Sequence, residues 1–189
     1  TGVRNDIELL GAGKGEALLL VDCVTSLGGI PLEIDAWGVD LAYSGTQKCL
    51  GVPPGLSPVT VSSGAVDAFV DQSPSWYFDF SMLANYVTGS GARAYHHTAP
   101  ISMVFALHAG LGVILEEGLD NIHERHRLCG EQLQEGLVKR GFEPFASEGH
   151  RLPDLTSVYV PKDRLPKGVD EAGLRKQLLD LYSIEIGGG

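Results

Sequence analysis

The sequence is poor in basic residues, in cysteine and in long apolar runs. Lysine and arginine total 14 against 24 acidic residues, giving a net charge of −10, which argues against nucleic acid and anionic membrane surfaces as main partners. No apolar run approaches the roughly 20 residues that a membrane span needs. The three cysteines are widely spaced and form no CxxC pair. We therefore expect neither a disulfide framework nor a zinc site, and we expect a reducing compartment.

The chain is nevertheless long and apolar enough to build a core. It has 189 residues, of which 43% are hydrophobic, which suits one domain or slightly more. It begins with Thr1 rather than methionine and ends at Gly189, directly after a strand-like run. From these ends we expect an internal piece of a longer protein.

The first third of the sequence has the pattern of a layered sheet. The continuous apolar run Ala17–Val21 predicts a strand buried on both faces. Short strands are predicted at 39–43 and 59–61, followed by a short helix over 62–69 that is capped by one of its first two serines. Strands separated by turns and helices at this rhythm indicate an α/β fold.

The rest of the sequence is loop-rich first and helical afterwards. Residues 71–98 are aromatic and predicted to be mainly loop. Apolar periodicity then predicts two long helices separated by Gly118, and a small α+β segment follows them. The elements predicted after residue 100 are helices at 101–115, 119–137 and 169–181 and strands at 142–145, 155–160 and 184–186.

Lys48 and Asp22 are the residues best placed for chemistry. Lys48 follows a turn of small residues at the end of a strand, where active sites of α/β proteins usually lie. A lysine there can hold pyridoxal phosphate (PLP) as an imine; otherwise it is a solvated surface lysine. Asp22 ends an apolar strand and can hold the pyridine nitrogen of PLP protonated, or it can cap the next segment. Val24 can pack against the ring or simply in the core.

Three polar residues precede Lys48. Ser44, Thr46 and Gln47 can donate hydrogen bonds to a phosphate without adding charge. The alternative is turn chemistry, which is common for Ser-Gly-Thr sequences.

A second polar cluster lies at Tyr95–Thr98. The adjacent His96 and His97 suggest a metal site, but neighbouring residues of an extended chain point in opposite directions, so we expect none. The hydroxyls of Tyr95 and Thr98 are candidate phosphate donors, with loop structure as the alternative. Arg93 is a candidate anion contact of low specificity.

Four motifs in order resemble one known family. They are Leu18–Gly29 (LLLVDCVTSLGG), Tyr43–Lys48 (YSGTQK), Pro53–Gly55 (PPG) and Tyr95–Pro100 (YHHTAP). Together they are similar to the alanine–glyoxylate / serine–pyruvate aminotransferases, which belong to the class V PLP enzymes. The resemblance runs through nearly the whole chain.

The resemblance implies an α/β fold of type I PLP-dependent transferases. Residues 1–117 would be part of the large PLP-binding domain with its mixed sheet. Residues 118–189 would be part of the small α+β C-terminal domain. It also implies a homodimer with active sites at the subunit interface. We expect a cytoplasmic location, or an organellar one such as the peroxisome if the source is a eukaryote.

The resemblance also assigns roles residue by residue. Gln47 before the lysine favours the aminotransferases, because related desulfurases commonly have histidine there. The family's Gly-rich phosphate loop would lie before Thr1 and its substrate-binding arginine after Gly189. The matching residues are Lys48 as the Schiff-base lysine, Asp22 on the pyridine nitrogen, Val24 beneath the ring, Gln47 on the phosphate, and Tyr95 and Thr98 on the phosphate of the neighbouring subunit's cofactor.

The predicted activity is amino-group transfer from a small amino acid, alanine or serine, to glyoxylate or pyruvate, with PLP as the cofactor. Three alternatives remain open from the sequence. The protein could be a lyase or hydrolase of the same class V fold, or this chain could be a non-catalytic fragment of such an enzyme. The more distant alternative is a metal-binding protein that uses His96 and His97.

Overall fold

The computed structural model describes residues 1–89 and 94–188, so the candidate anion contact Arg93 lies outside the described residues. The chain forms two compact units. The first consists of residues 6–119, and the second of residues 1–5 together with 120–189.

A small mixed sheet organises the first unit. Its strands are β1 (Leu20–Asp22), β2 (Leu41–Tyr43) and β3 (Val59–Val61), in that order. Strands β1 and β2 are parallel, with Asp22 opposite Tyr43, whereas β2 and β3 are antiparallel. The carboxyl ends of β1 and β2 therefore lie at the same edge of the sheet.

Only one face of β1 is covered by the core. Val21, Cys23, Val39 and Ala42 are buried, and six partly buried side chains pack against them: Ile7, Leu19, Leu27, Leu32, Ile34 and Trp37. The side chain of Leu20, by contrast, is 60% exposed. The prediction of a strand buried on both faces is therefore wrong. Successive side chains point to opposite faces of a strand, and the described residues cover only one of them.

The described residues of the first unit form the helices α1 (Ile7–Gly13), α2 (Ser63–Asp67), α3 (Phe80–Thr88) and α4 (Ile101–Glu117). The serine cap predicted for α2 is confirmed, because the Ser62 hydroxyl accepts a hydrogen bond from the Ala65 amide at 3.1 Å.

The sequence patterns did not anticipate α1 and α3. Both helices begin with an aspartate cap, in which Asp6 accepts from the Leu9 amide at 3.0 Å and Asp79 from the Met82 amide at 3.0 Å. Helix α3 occupies part of a segment that was predicted to be mainly loop. The aromatic residues of this segment suggested a loop. The helix start was missed because a cap is signalled by only one polar side chain.

Helix α4 is strongly apolar, yet none of its residues is buried. It ends as predicted at Gly118, whose φ of 85° suits glycine better than any other residue. Six of its large side chains are substantially exposed: Ile101, Val104, Phe105, Leu111, Val113 and Leu115. Among the described residues no single helix is long and apolar enough to cross a membrane; α4 reaches that length only when it is counted together with the helix that follows.

The second unit is built on helix α5 (Leu119–Lys139), followed by β4 (Glu143–Pro144), β5 (Val158–Tyr159) and α6 (Glu171–Tyr182). Strands β4 and β5 pair antiparallel. The amino-terminal residues join this unit through a bridge between Val3 and Arg151. A loop also packs closely on α5, since a Cβ at Gly130 would lie 2.2 Å from the Pro153 carbonyl oxygen.

The strand predicted at 184–186 is not formed. Helix α6 ends at Ser183 in the left-handed conformation, with φ of 55°, and the Ile184 amide donates to the Leu178 carbonyl at 3.1 Å. The next residues are exposed and pair with none of the described strands. The alternating apolar pattern was therefore not sufficient, because a strand also requires a partner.

Candidate functional site

Asp22 and Tyr43 meet at the carboxyl edge of the sheet. The Tyr43 hydroxyl donates a 2.8 Å hydrogen bond to Asp22 Oδ2, and the Val24 amide donates one of 2.8 Å to Asp22 Oδ1. The parallel register places Asp22 and Tyr43 directly opposite each other. Asp22 is nevertheless exposed, so its carboxylate is open to a ligand. The contact with the Val24 amide is local to the chain and is of the kind that the capping interpretation of Asp22 predicts, whereas the contact with Tyr43 joins two strands.

The charge of Asp22 acts on its two neighbours. The carboxylate raises the pKa of Tyr43, chiefly because the phenol donates a hydrogen bond to Asp22. Burial raises the pKa of the Cys23 thiol, the Asp22 charge adds to that effect, and a hydrogen bond with Ser26 partly offsets it. The phenol and the thiol therefore stay neutral near pH 7.

The loop after β2 is fixed by buried hydroxyls. The Ser44 hydroxyl donates to the Cys23 carbonyl at 3.1 Å. Thr46 is fully buried and donates to the Pro53 carbonyl at 2.9 Å. Both hydroxyls are used inside the protein, so their interpretation as phosphate donors is wrong and the turn interpretation holds. Burial is the physical reason, because a side chain sealed from solvent cannot reach a ligand's phosphate.

Gln47 and Lys48 follow this anchored segment and are both exposed. The side chain of Gln47 folds back over Gly45, where an added Cβ would lie 2.7 Å from Gln47 Oε1. Among the residues that the structure describes, none makes a hydrogen bond or ion pair with the ammonium group of Lys48. Lys48 lies five residues beyond the end of β2, and its side chain reaches solvent.

The Tyr95–Thr98 segment forms a separate polar cluster. The hydroxyls of Tyr95 and Thr98 contact each other, and both residues are exposed. Within the described part of the chain neither hydroxyl makes a hydrogen bond to Asp22 or Lys48, so their predicted role at a neighbouring subunit remains a prediction.

His96 anchors that cluster. It is buried, and its ring stacks on Trp76 with 4.3 Å between centroids and 4° between planes. His96 Nε2 lies 3.0 Å from the Trp76 carbonyl oxygen, and His96 Nδ1 lies 2.8 Å from His97 Nδ1. Because a carbonyl only accepts, Nε2 of His96 carries the hydrogen, and its Nδ1 accepts from His97 when His96 is neutral.

The histidine pair has the contacts of a structural element. No group of three or more His, Cys, Asp or Glu side chains that could hold a metal ion occurs at 1–89 or 94–188. All three cysteines, Cys23, Cys49 and Cys129, are free thiols. The sequence reasoning missed Tyr43 and Trp76 as partners, and for Tyr43 the usable signal was its position at the end of the strand parallel to β1.

Comparison with known proteins gives consistent results. A family model described as "Aminotransferase class-V" matches residues 1–168. The alanine–glyoxylate aminotransferase of Drosophila melanogaster is 36% identical over 194 residues, which cover 99% of this chain and 48% of that protein. The (S)-ureidoglycine–glyoxylate transaminase of Bacillus subtilis is 33% identical, with coverage of 90% and 44%.

A solved structure agrees with these relatives. The crystal structure of an alanine–glyoxylate aminotransferase from Nostoc sp. matches with a TM-score of 0.87 and 44% identity, over 100% of this chain and 50% of that one. The chain thus spans about half the length of the relatives it matches. The predicted α/β fold of the type I PLP enzymes is confirmed by this match. Because the family model covers most of its residues, the chain belongs to the class V aminotransferase family.

Proposed function

We propose that the protein is a PLP-dependent aminotransferase that moves an amino group from alanine or serine to glyoxylate or pyruvate. The observation that carries this proposal is the shared sheet edge. Asp22 ends β1, Lys48 follows the end of the parallel strand β2, and both are exposed. Parallel strands bind ligands at their carboxyl ends in open α/β sheets. The names of the relatives support the choice of acceptor, since those described above act on glyoxylate.

The residues at this edge fit PLP. An ionised carboxylate offers about four lone-pair sites, and Asp22 uses two of them, for the Val24 amide and the Tyr43 hydroxyl. It therefore keeps acceptor capacity for the N–H of a pyridinium ring. The exposed amine of Lys48 can form a covalent bond with the aldehyde carbon of PLP. Val24 is half-buried next to Asp22 and offers an apolar contact beneath the ring, and Gln47 offers an amide to the phosphate.

When bound, PLP supplies a sink for the electron pair that remains after a proton leaves the substrate's α-carbon. Asp22 keeps a proton on the pyridine nitrogen and thereby makes that sink effective. The Nζ of Lys48, in its neutral form, accepts the α-proton and returns a proton later in the cycle. The buried bonds of Ser44 and Thr46 hold the loop that carries this amine.

The remaining assignments concern the assembly. We assign residues 1–117 to part of the large PLP-binding domain and residues 118–189 to part of the small C-terminal domain. Tyr95 and Thr98 would contact the phosphate of the neighbouring subunit's cofactor in a homodimer. The exposed apolar side chains of α4 support a homodimer, since apolar patches of this kind mark protein interfaces. Light scattering of the full-length protein tests the assembly, and a monomer at micromolar concentration would contradict it.

Replacement of Lys48 by alanine in the full-length protein tests the activity. Wild-type protein should convert alanine and glyoxylate to pyruvate and glycine, and Lys48→Ala should lose this reaction. Lys139→Ala is a matched control, because Lys139 lies on α5 and pairs with Glu135 at 3.0 Å on the helix surface.

Borohydride treatment in the presence of PLP provides a second measurement. Mass spectrometry should then find the reduced label on Lys48 in wild-type protein and in the Lys139→Ala control. Label at other lysines only would refute the assignment of Lys48. Release of sulfide or ammonia without a keto acid would indicate a lyase or hydrolase of the same fold, and failure to take up PLP would indicate a non-catalytic protein.

A further inference from the structure

The carboxylate of Asp22 is held by two donors, one on each oxygen. The Val24 amide binds Oδ1 and the Tyr43 hydroxyl binds Oδ2, both at 2.8 Å. The first donor belongs to the chain just after Asp22, but the second comes from the neighbouring strand. Two donors on opposite oxygens fix the plane of a carboxylate, whereas one donor leaves it free to rotate.

Fixing this plane matters for the chemistry at the sheet edge. A hydrogen bond to the pyridine nitrogen needs an acceptor oxygen aimed at it, because hydrogen bonds weaken steeply as their angle departs from linearity. Asp22 is exposed, so the surrounding core does not hold its side chain. Its orientation therefore depends on these two hydrogen bonds.

We propose that Tyr43 is a positioning residue for Asp22: the Tyr43 hydroxyl orients the Asp22 carboxylate toward the pyridine nitrogen of PLP. This inference rests on the proposed function. It assigns a role to a tyrosine that does not itself touch the substrate. Tyr43 is suited to the role because its register opposite Asp22 fixes the distance between the two side chains through the backbone of the sheet.

A purely structural role for Tyr43 makes a different prediction. The residue is half-buried in the central strand, opposite Val59 of β3, so its ring contributes to packing. Tyr43→Phe keeps the ring and removes only the hydroxyl. If packing were the whole contribution of Tyr43, this substitution would leave PLP affinity and the protonation of the ring nitrogen unchanged.

The experiment compares Tyr43→Phe with wild type in the full-length protein. Hydrogen bonds to charged groups contribute enough to binding that we expect about tenfold weaker PLP binding by spectral titration. Magnetic resonance of PLP with an isotopically labelled ring nitrogen should show a smaller protonated fraction in Tyr43→Phe. Tyr159→Phe is the matched control, because Tyr159 is an exposed tyrosine of β5, and it should behave as wild type.

A second substitution separates positioning from folding. In a background with Asp22→Asn, the further change Tyr43→Phe should have no additional effect on PLP affinity, because the group it orients has lost its charge. An equal effect in both backgrounds would overturn the inference, as would PLP affinity and nitrogen protonation in Tyr43→Phe within twofold of wild type. If wild-type protein fails to bind PLP, the proposed function fails instead, so the two failures are distinguishable.

Discussion

Thr46 offers a sharp test of how the loop that carries Lys48 is held. Its side chain is fully buried, and its hydroxyl donates to the Pro53 carbonyl at 2.9 Å. Thr46→Val replaces this hydroxyl with a methyl group of similar size. The lost hydrogen bond is worth about 1 kcal/mol, and an acceptor left unsatisfied adds about 1 to 3 kcal/mol when it is sealed from water. Pro53 is exposed, so water can hydrate its carbonyl and the total should be about 1 to 2 kcal/mol.

Thr46→Ser is the matched control for this substitution. It keeps the hydroxyl and removes one buried methyl group, which costs about 1 kcal/mol. Both variants should therefore lose similar stability in denaturant unfolding. Their local effects should differ, because only Thr46→Val releases the loop from Pro53.

Hydrogen exchange at the Val52 amide measures that difference. This amide donates to the Thr46 carbonyl at 3.2 Å, so its exchange reports on loop closure. We expect faster exchange at Val52 in Thr46→Val than in Thr46→Ser. Equal exchange in the two variants would show that the hydroxyl does not hold the loop. Unchanged stability in Thr46→Val would refute the energetic reasoning itself.

Two further substitutions test other parts of the first unit. The Lys14 ammonium, and after it the Leu19 amide, lower the pKa of Asp40, so this carboxylate should stabilise the fold above pH of about 4 and lose that contribution as the pH falls through its lowered pKa. The difference in melting temperature between wild type and Asp40→Asn should therefore shrink in acid, and a gap that stays constant with pH would contradict this. His96→Ala removes the stack on Trp76 and two hydrogen bonds, and denaturant unfolding should show a loss of about 2 kcal/mol. A smaller loss in His96→Asn, which retains a donor, would support the hydrogen-bond contribution, whereas equal stability of His96→Ala and wild type would exclude an anchoring role.

Local signals in the sequence were sufficient for many elements of the fold. The cap at Ser62 and the break at Gly118 were predicted because each depends on one residue type with a strong conformational preference. The strand at 59–61 was predicted with its observed bounds. The missing strand at 184–186 shows the limit of such signals, since pairing depends on a partner that local pattern does not identify.

Some residues of the candidate site could likewise be predicted from local sequence signals, and one could not. Asp22 and Lys48 were predicted because Asp22 ends a strand, Lys48 follows one, and each has a reactive side chain of the required type. Tyr43 was missed, although it stands only five positions before Lys48, because its contact with Asp22 arises from the register of two parallel strands. Spacing along the chain does not encode that register, and only the fold brings the phenol to the carboxylate.

Burial separates structure from chemistry along the segment 44–48. Ser44 and Thr46 are buried, and their hydroxyls donate hydrogen bonds to carbonyls of the protein. Gln47 and Lys48, by contrast, are exposed. The buried hydroxyls restrain the backbone just before Lys48. The start of the lysine side chain is therefore held in place, although its amine lies outside the core. Substitutions at the buried positions should therefore change stability and loop exchange first, and substitutions at the exposed positions should change cofactor chemistry with little effect on folding. An exposed-position variant that unfolds the protein would break this separation.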